Sequence, residues 1–362
     1  MIENIYIGKG SISNLSGMLK LHPGKKVFLV TGKSSYEKSG AQKIMESLLK
    51  GTPYFRFSEF EKNPKLEDVE KGIALFNKEN CELTIAIGGG SAIDIAKLIN
   101  SLSKVQGNLE KTIRANRLDQ KPFPFAAIPT TAGSGSEATH FAVMYINGEK
   151  YSFAHKYILP EYVFVDSQFT YSMKAYLTAC TGADAFCQAV ESMWANEGNT
   201  ESKEYAKKAI QLVWNNLEGA VVNNDHASKD AVIEGAYWAG KAINISKTTV
   251  SHALSYKMTS LFDVPHGHAV ALTLVPVMKA NYEYAQKDIQ KILSLINAKN
   301  LSDGVAKIEK FWERIGLCMK LSRLGIEENQ ISKLSNCNLE RLKNNPAMLT
   351  KEDIEKLFRS IL

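Results

Sequence analysis

The sequence has little to build a covalent or metal-thiolate framework from. Its five cysteines (Cys81, Cys180, Cys187, Cys318 and Cys337) are odd in number and widely scattered, and no two stand as a CxxC pair. Such usage fits free thiols in a reducing compartment and argues against disulfide scaffolds and thiolate zinc sites. No apolar run approaches the roughly 18 uninterrupted residues that span a bilayer. The opening MIENIYIGKG has no basic segment leading into an apolar core, so no secretory signal is expected. Charge of one sign is also lacking: 44 basic and 38 acidic residues are interleaved, for a net charge of +6. A nucleic-acid footprint would be a basic stripe, and none is present. The expectation is a cytoplasmic protein with small-molecule partners, no nucleic acid and no membrane.

What is present suffices for two globular domains: 362 residues, 44% of them hydrophobic and 23% charged. The first half alternates β-rich and helical patterns. Lys26–Thr31, Tyr54–Phe57, Leu83–Ile87 and Phe125–Ile128 read as strands, and Leu66–Asn80 and Ser91–Ser103 as helices. That alternation predicts a parallel sheet covered on both faces. Beyond about Tyr171 the apolar period is helical, in Ala175–Ala195, Ser202–Leu217, Asp230–Ile245, Gly304–Ile315 and Lys351–Leu362. The predicted boundary lies near Ser167–Ser172, giving an α/β domain over 1–169 and an all-helical domain over 170–362. Asn344-Asn345-Pro346 reads as a local turn.

Two polar loops in the α/β half suit a phosphate ligand. Gly88-Gly89-Gly90-Ser91 joins a buried strand to a helix. Glycines let backbone approach a ligand closely, and a helix N-terminus offers unpaired N–H groups. A tight turn without a ligand is the bland alternative, and GxGxxG is absent, so an ordinary dinucleotide fold is not implied. Asp94 and Lys97 share one helix face three residues apart, which alone would suggest a surface pair. The second loop, Pro129 to Glu137, carries hydroxyls at Thr130, Thr131 and Ser134 that could meet sugar or phosphate oxygens.

A metal set is suggested in the helical half. Two of the seven histidines, His252 and His266, lie fourteen residues apart, the second between Pro265 and Gly267. A helix followed by a turn can return such residues to each other, although an isolated histidine is more often a hydrogen-bonded structural residue. Asp184 sits among Ala, Phe and Cys, where a carboxylate is costly unless partnered. It could equally serve a helix terminus. One carboxylate with two imidazoles suits Fe²⁺ or Zn²⁺ with an open position.

Four motifs then resemble the iron-containing alcohol dehydrogenase family, in that family's order: GGGSAIDIAK (Gly88–Lys97), PTTAGSGSEAT (Pro129–Thr139), TGADAFCQAVES (Thr181–Ser192) and PHGHAVAL (Pro265–Leu272). The resemblance runs from Ile7-Gly8-Lys9-Gly10 to the C-terminal helices. It implies the dehydroquinate synthase-like plan: an α/β nucleotide-binding domain with a parallel sheet, then an all-α metal-binding domain, with a cleft between. It also implies NAD(P)-dependent interconversion of an alcohol with an aldehyde or ketone, and a homodimer. Gly88, Gly89, Gly90, Ser91, Asp94, Thr130, Thr131 and Ser134 would bind the cofactor, and Asp184, His252 and His266 the metal.

Departures from the family pattern carry information. Gln188 stands where the family usually has a histidine four residues after the aspartate, so an amide oxygen becomes the fourth candidate ligand and the choice of metal opens beyond iron. Tyr256 stands where a further histidine is frequent, and is the candidate for assisting proton delivery. After the first predicted strand, Thr31-Gly32-Lys33-Ser34-Ser35 has glycine where many members carry an aspartate that suits a ribose 2′-hydroxyl. Removing that charge, with Gly32, Lys33 and Ser34 to receive a phosphate, favours NADPH over NADH. An unremarkable turn is the alternative.

ISKTTVSHALSY, GSEATHFAVMY and PHGHAVAL look closest to the branch of phosphonoacetaldehyde reductases, which make 2-hydroxyethylphosphonate. Cations suited to such an anionic substrate are His140, Lys150, His155 and Lys247; as single side chains each reads equally well as a solvated surface group. A general medium-chain or lactaldehyde/succinic semialdehyde-type alcohol dehydrogenase of the same family is the alternative within this chemistry. Other rivals keep the scaffold and change the role: a glycerol-type dehydrogenase, a lyase of the dehydroquinate synthase kind that uses NAD transiently, and a non-catalytic nucleotide-binding protein in which Gln188 and Tyr256 mark lost activity.

Overall fold

The structure is a computed structural model that describes residues 4–147, 149–337 and 342–362. The chain divides into two compact units, one of residues up to Thr131 with Gly135–Met173, the other of Ala132–Ser134 with Lys174–Leu362.

The first unit contains β1 (Asn4–Ile7), α1 (Leu15–Leu21), β2 (Val27–Thr31), α2 (Ser35–Lys38), α3 (Ala41–Leu48), β3 (Tyr54–Phe57), α4 (Leu66–Lys78), β4 (Leu83–Gly88), α5 (Gly90–Leu102), α6 (Leu109–Arg114), β5 (Phe125–Pro129), β6 (Phe141–Ile146), β7 (Glu149–Ala154) and β8 (Tyr162–Val165). Six strands form one parallel sheet in the order β1-β8-β5-β4-β2-β3. Side chains of a strand alternate between faces, and β2 shows both faces buried. Val27 and Leu29 pack with Leu15, Met18, Met45 and Leu49 on one side. Phe28 and Val30 pack with Val69, Phe76, Ile95 and Ile99 on the other. That double burial is why β2, β4 and β5 are continuous apolar runs and not alternating ones.

The helices after β2 and β4 cover opposite faces: α3 contributes Ala41 and Met45 to one core, α5 contributes Ile95 and Leu98 to the other. The loops leaving two neighbouring strands therefore diverge, opening a crevice at their carboxyl ends where ligands of α/β sheets bind. Strands β6 and β7 form a separate antiparallel ribbon in register from Phe141↔Ala154 to Ile146↔Glu149. This ribbon and the strands β1 and β8 go beyond the elements expected from the sequence.

Asp94 and Lys97 prove to be an internal brace, not a surface pair. Lys97 is buried on α5, and its Nζ donates to the carbonyls of Thr139 (2.7 Å) and Phe141 (2.9 Å) and to Thr139 Oγ1 (3.1 Å). Three acceptors match the three protons of an ammonium. Burial nonetheless draws Lys97 down to about 8, against the pull of Asp94 and Glu137. Asp94 accepts from the Ser136 hydroxyl and from Val143 N (3.0 Å), one bond to each carboxylate oxygen. Together the two residues pin segment 136–143 to α5.

The second unit is helical among its described residues: α7 (Ala175–Trp194), α8 (Thr200–Val222), α9 (His226–Ser246), α10 (Val250–Phe262), α11 (His266–Asn281), α12 (Gln286–Leu295), α13 (Leu301–Arg314), α14 (Ile331–Ser335) and α15 (Lys351–Arg359). Helix α7 packs on α8, α9 and α11, with Leu217 of α8 resting where a Cβ on Gly182 would sit 2.2 Å away. The turn at Asn344-Asn345 is buried. Asn344 Nδ2 donates to the carbonyls of Ser246 (2.7 Å) and Thr248 (3.1 Å), clamping the turn between α9 and α10.

Replacing Lys97 with methionine should cost about 3 kcal/mol, because it strands the Thr139 and Phe141 carbonyls and leaves Asp94 without its nearest cation. Urea unfolding measures it; a midpoint within error of the parent would refute the bracing role.

Candidate functional site

The expected metal ligands meet in the second unit. Asp184 lies on α7, His252 in the first turn of α10 and His266 at the start of α11, with one ligand atom from each within 4.8 Å of the others. Asp184 Oδ1 lies 3.2 Å from His252 Nε2 and 3.8 Å from His266 Nε2. Bonds of about 2.1 Å to a tetrahedral cation imply ligand separations of about 3.4 Å, so the spacing fits such an ion. Gly267 makes the approach possible. A Cβ there would stand 1.8 Å from the Cys180 carbonyl oxygen and 2.9 Å from Asp184 Cβ, so only glycine lets the start of α11 lie on α7.

Hydrogen bonding at Nδ1 orients both imidazoles with Nε2 towards Asp184. His252 Nδ1 faces a Glu191 carboxylate oxygen, which can only accept, so Nδ1 keeps its proton and Nε2 is the nitrogen that would give up its proton to a bound cation. The Ser255 hydroxyl spends its single proton on the His252 carbonyl (2.7 Å) and must accept from His266 Nδ1 (3.2 Å). His266 Nδ1 is thereby the protonated nitrogen, and Nε2 is the one that faces Asp184. A carboxylate or hydroxyl behind each metal-facing imidazole is the usual outer shell of a divalent site. Burial opposes charge on His252, but the Glu191 carboxylate, and then Asp184, outweigh it and raise the imidazole to about 9. The site's negative potential favours a cation.

Gln188 supplies the second test of fit. It lies one turn after Asp184 on α7, its Nε2 3.5 Å from the Ser134 carbonyl. Its Oε1 is buried with no hydrogen-bond partner among the described residues. An orphaned acceptor of this kind is costly unless an ion or water meets it. The donor set, one carboxylate, two imidazoles and one amide oxygen, suits a borderline divalent ion such as Fe²⁺ or Zn²⁺. Burial drives the neighbouring Cys187 thiol well above its ordinary range, so it offers no thiolate.

His268 belongs elsewhere. Its Nε2 donates to the Cys318 carbonyl (2.7 Å) and its Nδ1 faces Tyr176 OH (3.0 Å), and burial lowers its pKa. The Tyr256 ring lies nearly parallel to that of His266, with the centroids 6.1 Å apart.

Glu191 is the residue that sequence reasoning misses. It is fully buried and accepts from Thr249 Oγ1 (2.6 Å), Ser251 N (2.8 Å) and His252 N (3.4 Å) besides His252 Nδ1. Its signal is the spacing from Asp184: seven residues, two helical turns, on the same face of α7.

In the first unit the glycine loop lies at the crevice. Gly88 ends β4, Gly89 precedes α5 and offers no side-chain cap, and Gly90 opens the helix. Ala92 N already donates to the Gly89 carbonyl (3.0 Å), so the amides ahead of it are those that a helix N-terminus offers an anion. Thr130 N donates to the Gly88 carbonyl (2.9 Å), and a Cβ on Gly89 would touch Thr131 Oγ1 at 3.3 Å, so the loops after β4 and β5 are in contact. Gly32 follows β2 with its nitrogen 3.6 Å from where a Gly88 Cβ would sit, and Lys33 and Ser34 are exposed beside it. The Ser91 hydroxyl bonds the Lys62 carbonyl. Ser134 falls in the helical unit.

The four expected substrate cations are divided between the units, His140, Lys150 and His155 in the first and Lys247 in the second. His140 and His155 sit together at the base of the β6–β7 ribbon, joined by His155 N to the His140 carbonyl (3.0 Å), and Lys150 lies on β7 opposite Tyr145. His155 Nδ1 accepts from Tyr157 N (3.2 Å), and burial, then the charges of Lys156 and His140, lower its pKa, so it acts as a neutral donor. Lys247, in the second unit, is exposed and paired with Glu197 at 2.8 Å.

Exchanging Glu191 for glutamine keeps an acceptor for α10 but turns an N–H towards His252 Nδ1, favouring the wrong tautomer. Retention of Zn²⁺ or Fe²⁺ against a chelator should fall about 10- to 100-fold. Metal analysis after dialysis checks this, and unchanged retention would remove Glu191 from the site.

Comparison with known proteins agrees with this geometry. The family described as iron-containing alcohol dehydrogenase matches residues 3–167, and the Fe-containing alcohol dehydrogenase family, C-terminal, matches residues 178–362. Long-chain-alcohol dehydrogenase 1 of Geobacillus thermodenitrificans is 28% identical, with 98% of this chain and 94% of that protein aligned. The 1,3-propanediol dehydrogenase of Klebsiella pneumoniae is also 28% identical, over 99% of this chain and 97% of that one. Among solved structures, sulfoacetaldehyde reductase from Bifidobacterium kashiwanohense in complex with NAD⁺ superposes with a TM-score of 0.93 at 28% identity, covering 99% of this chain and 96% of that chain. The chain is a metal- and NAD(P)-dependent oxidoreductase of alcohols and aldehydes, and it belongs to the iron-containing alcohol dehydrogenase family.

Proposed function

We propose that this enzyme reduces a small anionic aldehyde with NADPH, the favoured pair being phosphonoacetaldehyde and 2-hydroxyethylphosphonate. The observation that carries the reading is the donor set of Asp184, His252 and His266 with the orphaned Gln188 oxygen. When bound, the cation polarises a carbonyl oxygen and the nicotinamide supplies the hydride. Asp184, His252, His266 and Gln188 hold the ion, and Glu191 and Ser255 fix the two imidazoles. Gly88, Gly89, Gly90 and Ser91, with Thr130 and Thr131, receive the pyrophosphate on backbone N–H groups and hydroxyls. Tyr256, its ring near-parallel to that of His266, is the proposed proton-delivering group.

Support for an anionic aldehyde comes from the sulfoacetaldehyde reductase likeness, since that protein's named substrate pairs an aldehyde with a tetrahedral anion. Of the candidate cations, Lys150 and His140 are the proposed partners of the anion; His155 as a neutral donor and Lys247 with Glu197 already beside it are weaker ones. A neutral alcohol is the second reading, favoured by the long-chain-alcohol and 1,3-propanediol relatives. NADPH oxidation across phosphonoacetaldehyde, lactaldehyde, succinic semialdehyde and butyraldehyde separates them. The highest kcat/KM on butyraldehyde would discard the anionic substrate.

His266→Ala should abolish aldehyde reduction while NADPH binding stays measurable by fluorescence; turnover at the parent rate would sink the ligand assignment. Gly32→Asp is sterically open once the Ser35 hydroxyl turns aside, because its Oγ lies 2.1 Å from the new Cβ position. It should raise KM for NADPH more than KM for NADH, and equal rises would overturn the cofactor preference.

A further inference from the structure

Arg56 projects from the edge strand β3, opposite Leu29 of β2, and is exposed. Exposed arginines usually sample many rotamers, but this one is held. Its Nε donates to Thr31 Oγ1 (2.9 Å), and Nη2 donates to the carbonyls of Gly32 (3.3 Å) and Lys33 (3.4 Å). Its guanidinium carbon sits 4.7 Å over the ring of Tyr36, which is itself buried. Those bonds use Nε and Nη2 and leave the two protons of Nη1 uncommitted. No carboxylate pairs with the guanidinium among the described residues. A fixed, always-charged fork therefore stands beside the loop that lacks the family's aspartate, next to the exposed Lys33, Ser34 and Ser35.

We propose that Arg56 is the specificity-determining residue for the 2′-phosphate of NADP(H), receiving it on Nη1 while Nε and Nη2 hold the Gly32–Lys33 backbone in place. The inference rests on the NADPH reading above and adds a residue to it. Because the guanidinium is already oriented by Thr31, the Gly32 and Lys33 carbonyls and the Tyr36 ring, binding a phosphate freezes little further side-chain motion.

Titration calorimetry with adenosine 2′,5′-bisphosphate and with 5′-AMP isolates the 2′-phosphate from the rest of the cofactor. The parent protein should bind the bisphosphate more tightly. In R56Q that affinity should fall about 10- to 100-fold, the loss of one charge-assisted contact, while 5′-AMP changes less than about threefold. R56K, which keeps the charge without the fork, should lie between, and it carries the test should R56Q melt early. Equal losses for both nucleotides would show that Arg56 merely braces the loop, and no loss would also overturn the proposal. A parent with no preference for the bisphosphate would overturn the cofactor reading together with it. Preference retained in R56Q but abolished in Gly32→Asp would keep that reading and discard Arg56.

Discussion

One buried carboxylate holds the candidate metal site of the helical unit together. Helix α10 begins at Thr249-Val250 without a side-chain cap of its own. The N–H groups of its first turn need acceptors. Glu191 of α7 reaches across and supplies them at Ser251 and His252, while Thr249 Oγ1 links it to Trp194 Nε1. The same carboxylate orients His252 Nδ1. A cap borrowed from another helix, a compensated helix dipole and a fixed tautomer are thus one interaction. The negative charge is buried at no prohibitive cost because several donors and a positive dipole end surround it.

Around that anchor the other constraints fall into place. Gly267 allows α11 to close on α7, Asn344 fixes the turn that leads into α10, and Ser255 sets the second imidazole. Replacing an imidazole by Gln188 leaves the ligand charge unchanged but substitutes a harder, less basic oxygen. Metal preference should therefore shift towards ions that accept oxygen readily, with the helical frame unaltered.

Much of this is legible in the chain. Strands β2, β4 and β5 declare themselves because burial on both faces demands uninterrupted apolar runs. Asp184, His252 and His266 are legible through the motifs around them. Glu191 is not, since an acid in a helix reads the same whether it faces solvent or caps a neighbour. Asp94 and Lys97 show the reverse: their spacing correctly gives a shared face, but nothing local reveals that segment 136–143 covers it. Arg56 is one polar residue in a four-residue edge strand, and its meaning comes only from the Gly32 backbone beside it. Strands β1 and β8 are equally short, and each is defined by a partner remote in sequence.

The pairing of β1 with β8 sets an order of events during synthesis. Asn4 aligns with Tyr162, and Ile7 with Val165. Strand β1 is thus an outer strand that stays unpaired until β8, remote in sequence, has been made. By then β2, β3, β4 and β5 can already have assembled, because their mutual pairings close much shorter loops. Strand β8 must dock beside β5 before β1 has an edge to join. Strand β1 is therefore among the last parts of the sheet to fold, and its apolar Ile5-Tyr6-Ile7 remains exposed to misassembly for that interval.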